Sequence, residues 1–164
     1  MISGDKESIL KEISLTYKSL SEPNFSFVDK AISSNPYRDI VTEIGKKFLI
    51  EDIADTNDDV SFRYKLSMKT KTWILEISMV GPYAVLLKEK NEYEYKIVDS
   101  DLCMLEESKI ISLCRQGNIV FLKRHDLEVP VDLKLFNADP ENVCIYQALF
   151  SDVDVLPWAH QEEP

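Results

Sequence analysis

Apolar positions follow two different periods along this chain, helical up to about residue 50 and strand-like from 60 to 98. Leu10, Ile13, Tyr17 and Leu20 share one face of a 3.6-residue repeat, leaving Lys11, Glu12 and Lys18 for water. Pro23 interrupts, and Phe27, Val28, Ala31 and Ile32 predict a second short helix over 24–34. Asn35 and Pro36 offer an N-cap and a ring-locked first position for a third helix, whose apolar face is Ile40, Ile44 and Phe48. Residues 51–59 carry five acids and no apolar period beyond Ile53, which predicts a surface loop.

Strict alternation then begins. Val60, Phe62, Tyr64, Leu66 and Met68 occupy every second position, and Trp73, Leu75, Ile77 and Met79 repeat the pattern after a Lys69-Thr70-Lys71 turn. Residues 83–88 and the run Tyr93, Tyr95, Ile97 add two more strands, so short links predict an antiparallel meander with one buried and one wet face. A helix is expected over 102–116, ended by Gly117, with Ser108 as an alternative start. Strands are expected over 119–122 and 129–135, the second at a sheet edge because of Pro130. Asp139-Pro140-Glu141 has the chemistry of a helix start, although residues 143–146 fit a strand as well.

The expected fold is therefore α+β: an antiparallel meander of four strands plus one or two later strands, packed by helices from both ends of the chain. One domain over 1–164 is expected, helical over 1–50, meander over 60–98, mixed over 102–158, with 159–164 fraying.

Composition changes this picture little, since 45% hydrophobic and 29% charged residues is ordinary globular chemistry. Charge changes it more. The chain carries −10 overall, divided as −5 over 1–59, +3 over 60–98 and −8 over 99–164, which opposes a nucleic-acid role. The longest apolar runs are too short to span a bilayer, and the charged start Asp5-Lys6-Glu7 lacks an apolar leader. Cys103, Cys114 and Cys144 are odd in number and unpaired in spacing, as expected of free thiols in a cytoplasmic protein.

Candidate chemistry is sparse. The four glycines are isolated, so no phosphate-cradling loop is available. His125 precedes Asp126 but has no nucleophile elbow beside it, and His160 lies in the tail. Cysteine and histidine spacings do not match a zinc site, and Asp55-Thr56-Asn57-Asp58-Asp59 begins like a calcium loop but continues with Val60 and ends on Leu66. The alternation of Asp152 and Asp154 with Val153 and Val155 fits a half-buried terminal strand as well as it fits a cation site. No catalytic residue, cofactor or metal is expected.

Function must then come from surface chemistry. The first expectation is a non-catalytic acidic module that binds a basic protein, as an immunity protein neutralises a cationic toxin such as a nuclease. Glu51, Asp52, Asp55, Asp58 and Asp59 are its candidate docking carboxylates, with Asp152, Asp154 and the terminal anchor Trp158 beside them. The second is a dimeric adaptor: the order helix, strands, helix, two strands, helix over 36–150 resembles the layout of small acidic type III secretion chaperones, from which the fourth early strand and the helical N-terminal extension depart. An enzyme of unfamiliar type is the third.

Overall fold

The computed structural model describes residues 6–159. Three helices open the chain, α1 (Lys6–Tyr17), α2 (Ser26–Ser34) and α3 (Arg38–Ile44). Five strands follow, β1 (Leu49–Asp52), β2 (Ser61–Met68), β3 (Lys71–Ser78), β4 (Tyr83–Asn91) and β5 (Glu94–Ile97). Helix α4 (Leu105–Gln116) then leads to β6 (Val120–Phe121) and the single turn α5 (Arg124–Leu127), and α6 (Ile145–Leu149) lies near the end. The strands form one sheet in the order β1-β2-β3-β4-β5, antiparallel throughout that path, while β6 joins β4 in parallel. The fold is thus α+β with a six-stranded, mostly antiparallel sheet and helices at both ends, as the sequence pattern predicts.

Both faces of the sheet are buried, which corrects the expectation of one wet face. On one side Phe62, Tyr64, Leu66, Trp73, Leu75, Ile77 and Leu86 pack with Ile44, Phe48 and the α4 residues Ile110, Ile111 and Cys114. The intervening positions Ile74, Val85 and Leu87 pack on the other side with Ile9, Ile13 and Tyr17 of α1, the α6 residues and Trp158. Polar side chains on this second face are consequently buried too, including Ser61, Glu76 and Ser78, and each must find a partner. The Ser61 and Ser78 hydroxyls donate to the Phe150 and Leu149 carbonyls at 2.9 and 2.7 Å, anchoring the end of α6 to the sheet.

Five local expectations are corrected. Glu51 and Asp52 belong to edge strand β1, where Glu51 faces Lys65 and Asp52 faces Tyr64, so the loop is shorter than 51–59. Asn35 caps the end of α2 with φ 34°, its N–H donating to the Ala31 carbonyl at 2.7 Å, because asparagine tolerates the left-handed region; α3 starts from Tyr37. Residues 129–135 bury alternate side chains but form no ladder: Val131 N–H reaches the Val143 carbonyl and Lys134 N–H the Leu20 carbonyl, so the chain is extended without being a sheet strand. Asp139 and Pro140 start only a 3-10 turn (Pro140–Asn142), and the helix proper begins at Ile145. Ser108 lies inside α4, which starts at Leu105.

Candidate protein-binding site

The segment from 135 to 144 has little secondary structure, so its backbone N–H groups need acceptors from elsewhere. Asp152 supplies three. Its carboxylate accepts from the Phe136, Asn137 and Ala138 amides at 3.0, 2.9 and 2.9 Å. Asp154 accepts from the Asp139 amide and the Asn142 side chain, both at 2.9 Å, and these donors hold its carboxyl below the usual carboxylate range. The two acids thus fix an irregular loop, in place of the terminal strand or cation site their spacing suggested.

The 55–59 turn is closed by its own carboxylates in the same way. Asp55 accepts from the Asn57 amide at 3.0 Å, and Asp59 accepts from the Asp55 amide at 2.7 Å and the Ser151 hydroxyl at 2.6 Å. Asp59 is 3% exposed, so it is a buried tie and not a surface charge. Asn137 joins the two loops, donating to Asp58 Oδ1 at 2.8 Å and to the Asp152 carbonyl at 3.3 Å. Among the described residues, no group of three or more His, Cys, Asp or Glu is arranged to hold a metal.

Where these loops meet α1 and α2 they enclose a cleft of about 300 Å³. Asp29, Asp58 and Asp152 supply its negative charge, the buried Asp59 also lines it, and Tyr17, Phe25, Val28 and Phe136 form its apolar lining. Phe136 is 85% exposed although its backbone is pinned by Asp152. Its ring lies 5.9 Å from that of Phe25, which in turn meets Tyr17 edge-on at 5.5 Å. The Tyr17 hydroxyl donates to the Ala148 carbonyl at 2.6 Å, and burial pushes its pKa upward, with Asp152 adding to the shift. Aromatic faces beside carboxylates in a narrow cleft suit a long cationic side chain, whose stem is apolar and whose head seeks charge and π density.

Of the expected docking residues, the fold brings Asp58, Asp59 and Asp152 to this cleft. Glu51 and Asp52 lie on exposed edge strand β1, and Asp55 and Asp154 are exposed but are not among the lining residues. Trp158 is fully buried: its ring meets Tyr146 edge-on at 5.1 Å and its indole N–H donates to Glu128 at 2.8 Å, leaving no face for a partner. Asp29 and Phe136 were missed, since neither belongs to an acidic run or an aromatic pattern. His125 projects from α5 with 76% of its side chain exposed, 3.4 Å from Asp126, and His160 lies outside the described residues.

A buried charge cluster sits on the same sheet face. Glu76 on β3 is completely buried, accepts from the Tyr146 hydroxyl at 2.9 and 3.1 Å, and faces the Arg63 guanidinium at 3.5 Å. Burial pushes its carboxyl above the ordinary glutamate range, with Arg63 and Tyr146 pulling it partly back. A raised folded-state value means that the folded protein binds more protons than the unfolded chain. The associated stability is therefore complete below the ordinary glutamate range and is lost as pH rises through the raised value. Glu76→Gln cannot ionise, so the difference in unfolding free energy, variant minus wild type, should grow more positive from acid to neutral pH. Urea unfolding at several pH values measures it, and a pH-independent difference would contradict the assignment.

Among the described residues, no helix is long and apolar enough to cross a membrane. Comparison of the chain with family models, with curated proteins and with solved structures gives no match.

Proposed function

We propose that the protein is a non-catalytic acidic module that docks a basic protein on the cleft between α2 and the 55–59 and 135–138 loops, as an immunity-type inhibitor does with a cationic toxin. The observation that carries this reading is Phe136: a large aromatic ring held out in solvent at the rim of a cleft lined by four carboxylates. Exposed aromatic anchors beside charge are where binding energy concentrates in protein interfaces. A lysine or arginine of the partner would enter the cleft with its stem against Phe25 and Phe136 and its charge near Asp29 and Asp58. The surplus of acid over the whole chain would steer the encounter, since complementary fields raise association rates. The cytoplasm, where free thiols persist, is the setting this reading implies.

The test is a quantitative capture from the native host's lysate, with wild-type bait beside two variants, Phe136→Ala and Asp29→Asn/Asp58→Asn. The Asp58→Asn change keeps an acceptor oxygen for the Asn137 side chain, so the loops stay tied. The expected result is a basic protein retained by wild type and depleted at least tenfold by either variant. Equal retention by all three baits would remove the cleft from the account.

A further inference from the structure

A second surface exposes two lysines, Lys88 and Lys96, above a hollow whose acids are Asp99 and the buried Glu107, which accepts from the Trp73 indole. Strand β5 is the terminal strand of the sheet path, and among the described residues no strand pairs with its outer side. The Val98 amide donates to the Leu86 carbonyl at 2.9 Å, and Lys88 opposite Lys96 falls in the same hydrogen-bonding phase. The backbone N–H and C=O of Ile97, between them, therefore point away from β4 along an open edge. Ile97 also lines two hollows, of about 230 and 310 Å³, either side of the end of β5.

Lys88 and Lys96 themselves break a rule of sheet pairing. They stand directly opposite each other in the register, the only pair of like charges across any two named strands of the sheet, where like charges destabilise. No salt bridge within the described residues relieves them: the Lys88 ammonium rests 3.3 Å from the Met104 sulfur. In the same hollow Leu102 is 85% exposed and Met104 44% exposed. A like-charged pair next to apolar residues in solvent, in a chain of net charge −10, is a local conflict that an arriving ligand would relieve.

We propose that this corner, between β5 and the start of α4, is a docking groove for an extended acidic segment of a partner protein. The segment pairs along the open edge at Ile97, sets carboxylates against Lys88 and Lys96, and lays apolar side chains on Leu102 and Met104. An open strand edge selects an extended peptide, with main-chain bonds supplying affinity and alternate side chains supplying specificity. The two lysines select its charge. This site is separate from the acidic cleft and takes a ligand of opposite sign, so either one can stand without the other.

The experiment is the panning of a display library of random eight-residue peptides on the full-length protein, followed by fluorescence anisotropy with the enriched peptides. The expected outcome is enrichment of peptides that interleave two or more Asp or Glu with apolar residues. Their affinity falls at least tenfold in Lys88→Glu/Lys96→Glu, falls in Leu102→Ser, and is unchanged in Asp29→Asn/Asp58→Asn. Circular dichroism confirms that each variant is folded. The proposal is overturned if no acidic peptides enrich, or if those that do bind the lysine variant as tightly as wild type.

Discussion

Arg63→Ala is expected to destabilise the protein by about 3–5 kcal/mol, because it would leave two buried carboxylates without their cation. The guanidinium lies 3.5 Å from Glu76 and 3.6 Å from Asp59, and the carboxylate side chains are 0% and 2% exposed. Glu76 cannot turn to water without opening the second sheet face. Tyr146 continues to donate to Glu76, and the Asp55 amide and Ser151 hydroxyl to Asp59, but neutral donors do not balance two charges. Urea unfolding at neutral pH measures the loss, which should shrink toward acid pH as Glu76 takes up a proton. The double variant Arg63→Ala/Glu76→Gln should be less destabilised than the two single effects added together, since the second change removes one of the stranded charges. Strict additivity would mean that these groups do not act as a cluster.

Trp158→Ala is expected to cost a similar amount, about 3–5 kcal/mol, by emptying a large core position. The indole is completely buried on the α6 side of the sheet, edge-on to Tyr146, and the Glu128 carboxylate would lose one of its two donors, keeping Arg124. Trp158→Phe separates the contributions, keeping most of the packing and losing the hydrogen bond at about 1 kcal/mol. Chemical denaturation provides both values. Binding of a basic partner by the folded fraction should be unaffected, because the side chain lies in the core while the partner would meet Phe136 at the surface. A loss of binding without a loss of stability would restore Trp158 to the interface.

Most of the fold was legible because its signals are local. Alternation over 60–79 and the helical spacing of Ile13 and Tyr17 state their periods within a few residues, and the structure forms β2, β3 and α1 there. Burial of the second sheet face had a weaker signal, present in the unbroken apolar run Tyr83-Ala84-Val85-Leu86-Leu87, which is the mark of a strand covered on both sides. Strand β1 was hidden because its residues, Leu49-Ile50-Glu51-Asp52, are dictated by an exposed sheet edge and not by a core. At 129–135 the period was read correctly as alternate burial, yet hydrogen bonding depends on what lies alongside, and there it is one isolated bridge, Pro130 with Cys144.

The candidate site was less legible for a physical reason. Acidic residues in a sequence look alike, whether they face solvent or accept bonds from their own backbone. Asp58, Asp59, Asp152 and Asp154 turn out to be structural acceptors, and only the fold shows that Asp29, Asp58, Asp59 and Asp152 meet at the cleft. The cleft itself is assembled from α1, α2, two loops and Gln147 of α6, far apart in the chain, so no spacing rule could announce it.

The central claim is that the cleft's negative charge receives a cation from a partner protein. Its most direct test is the association rate constant of the captured partner, measured by stopped flow at rising salt for wild type and for Asp29→Asn/Asp58→Asn. The account predicts a rate that falls steeply with ionic strength for wild type, and a rate at least tenfold lower and less salt-sensitive for the variant. Equal rates with equal salt dependence would contradict it.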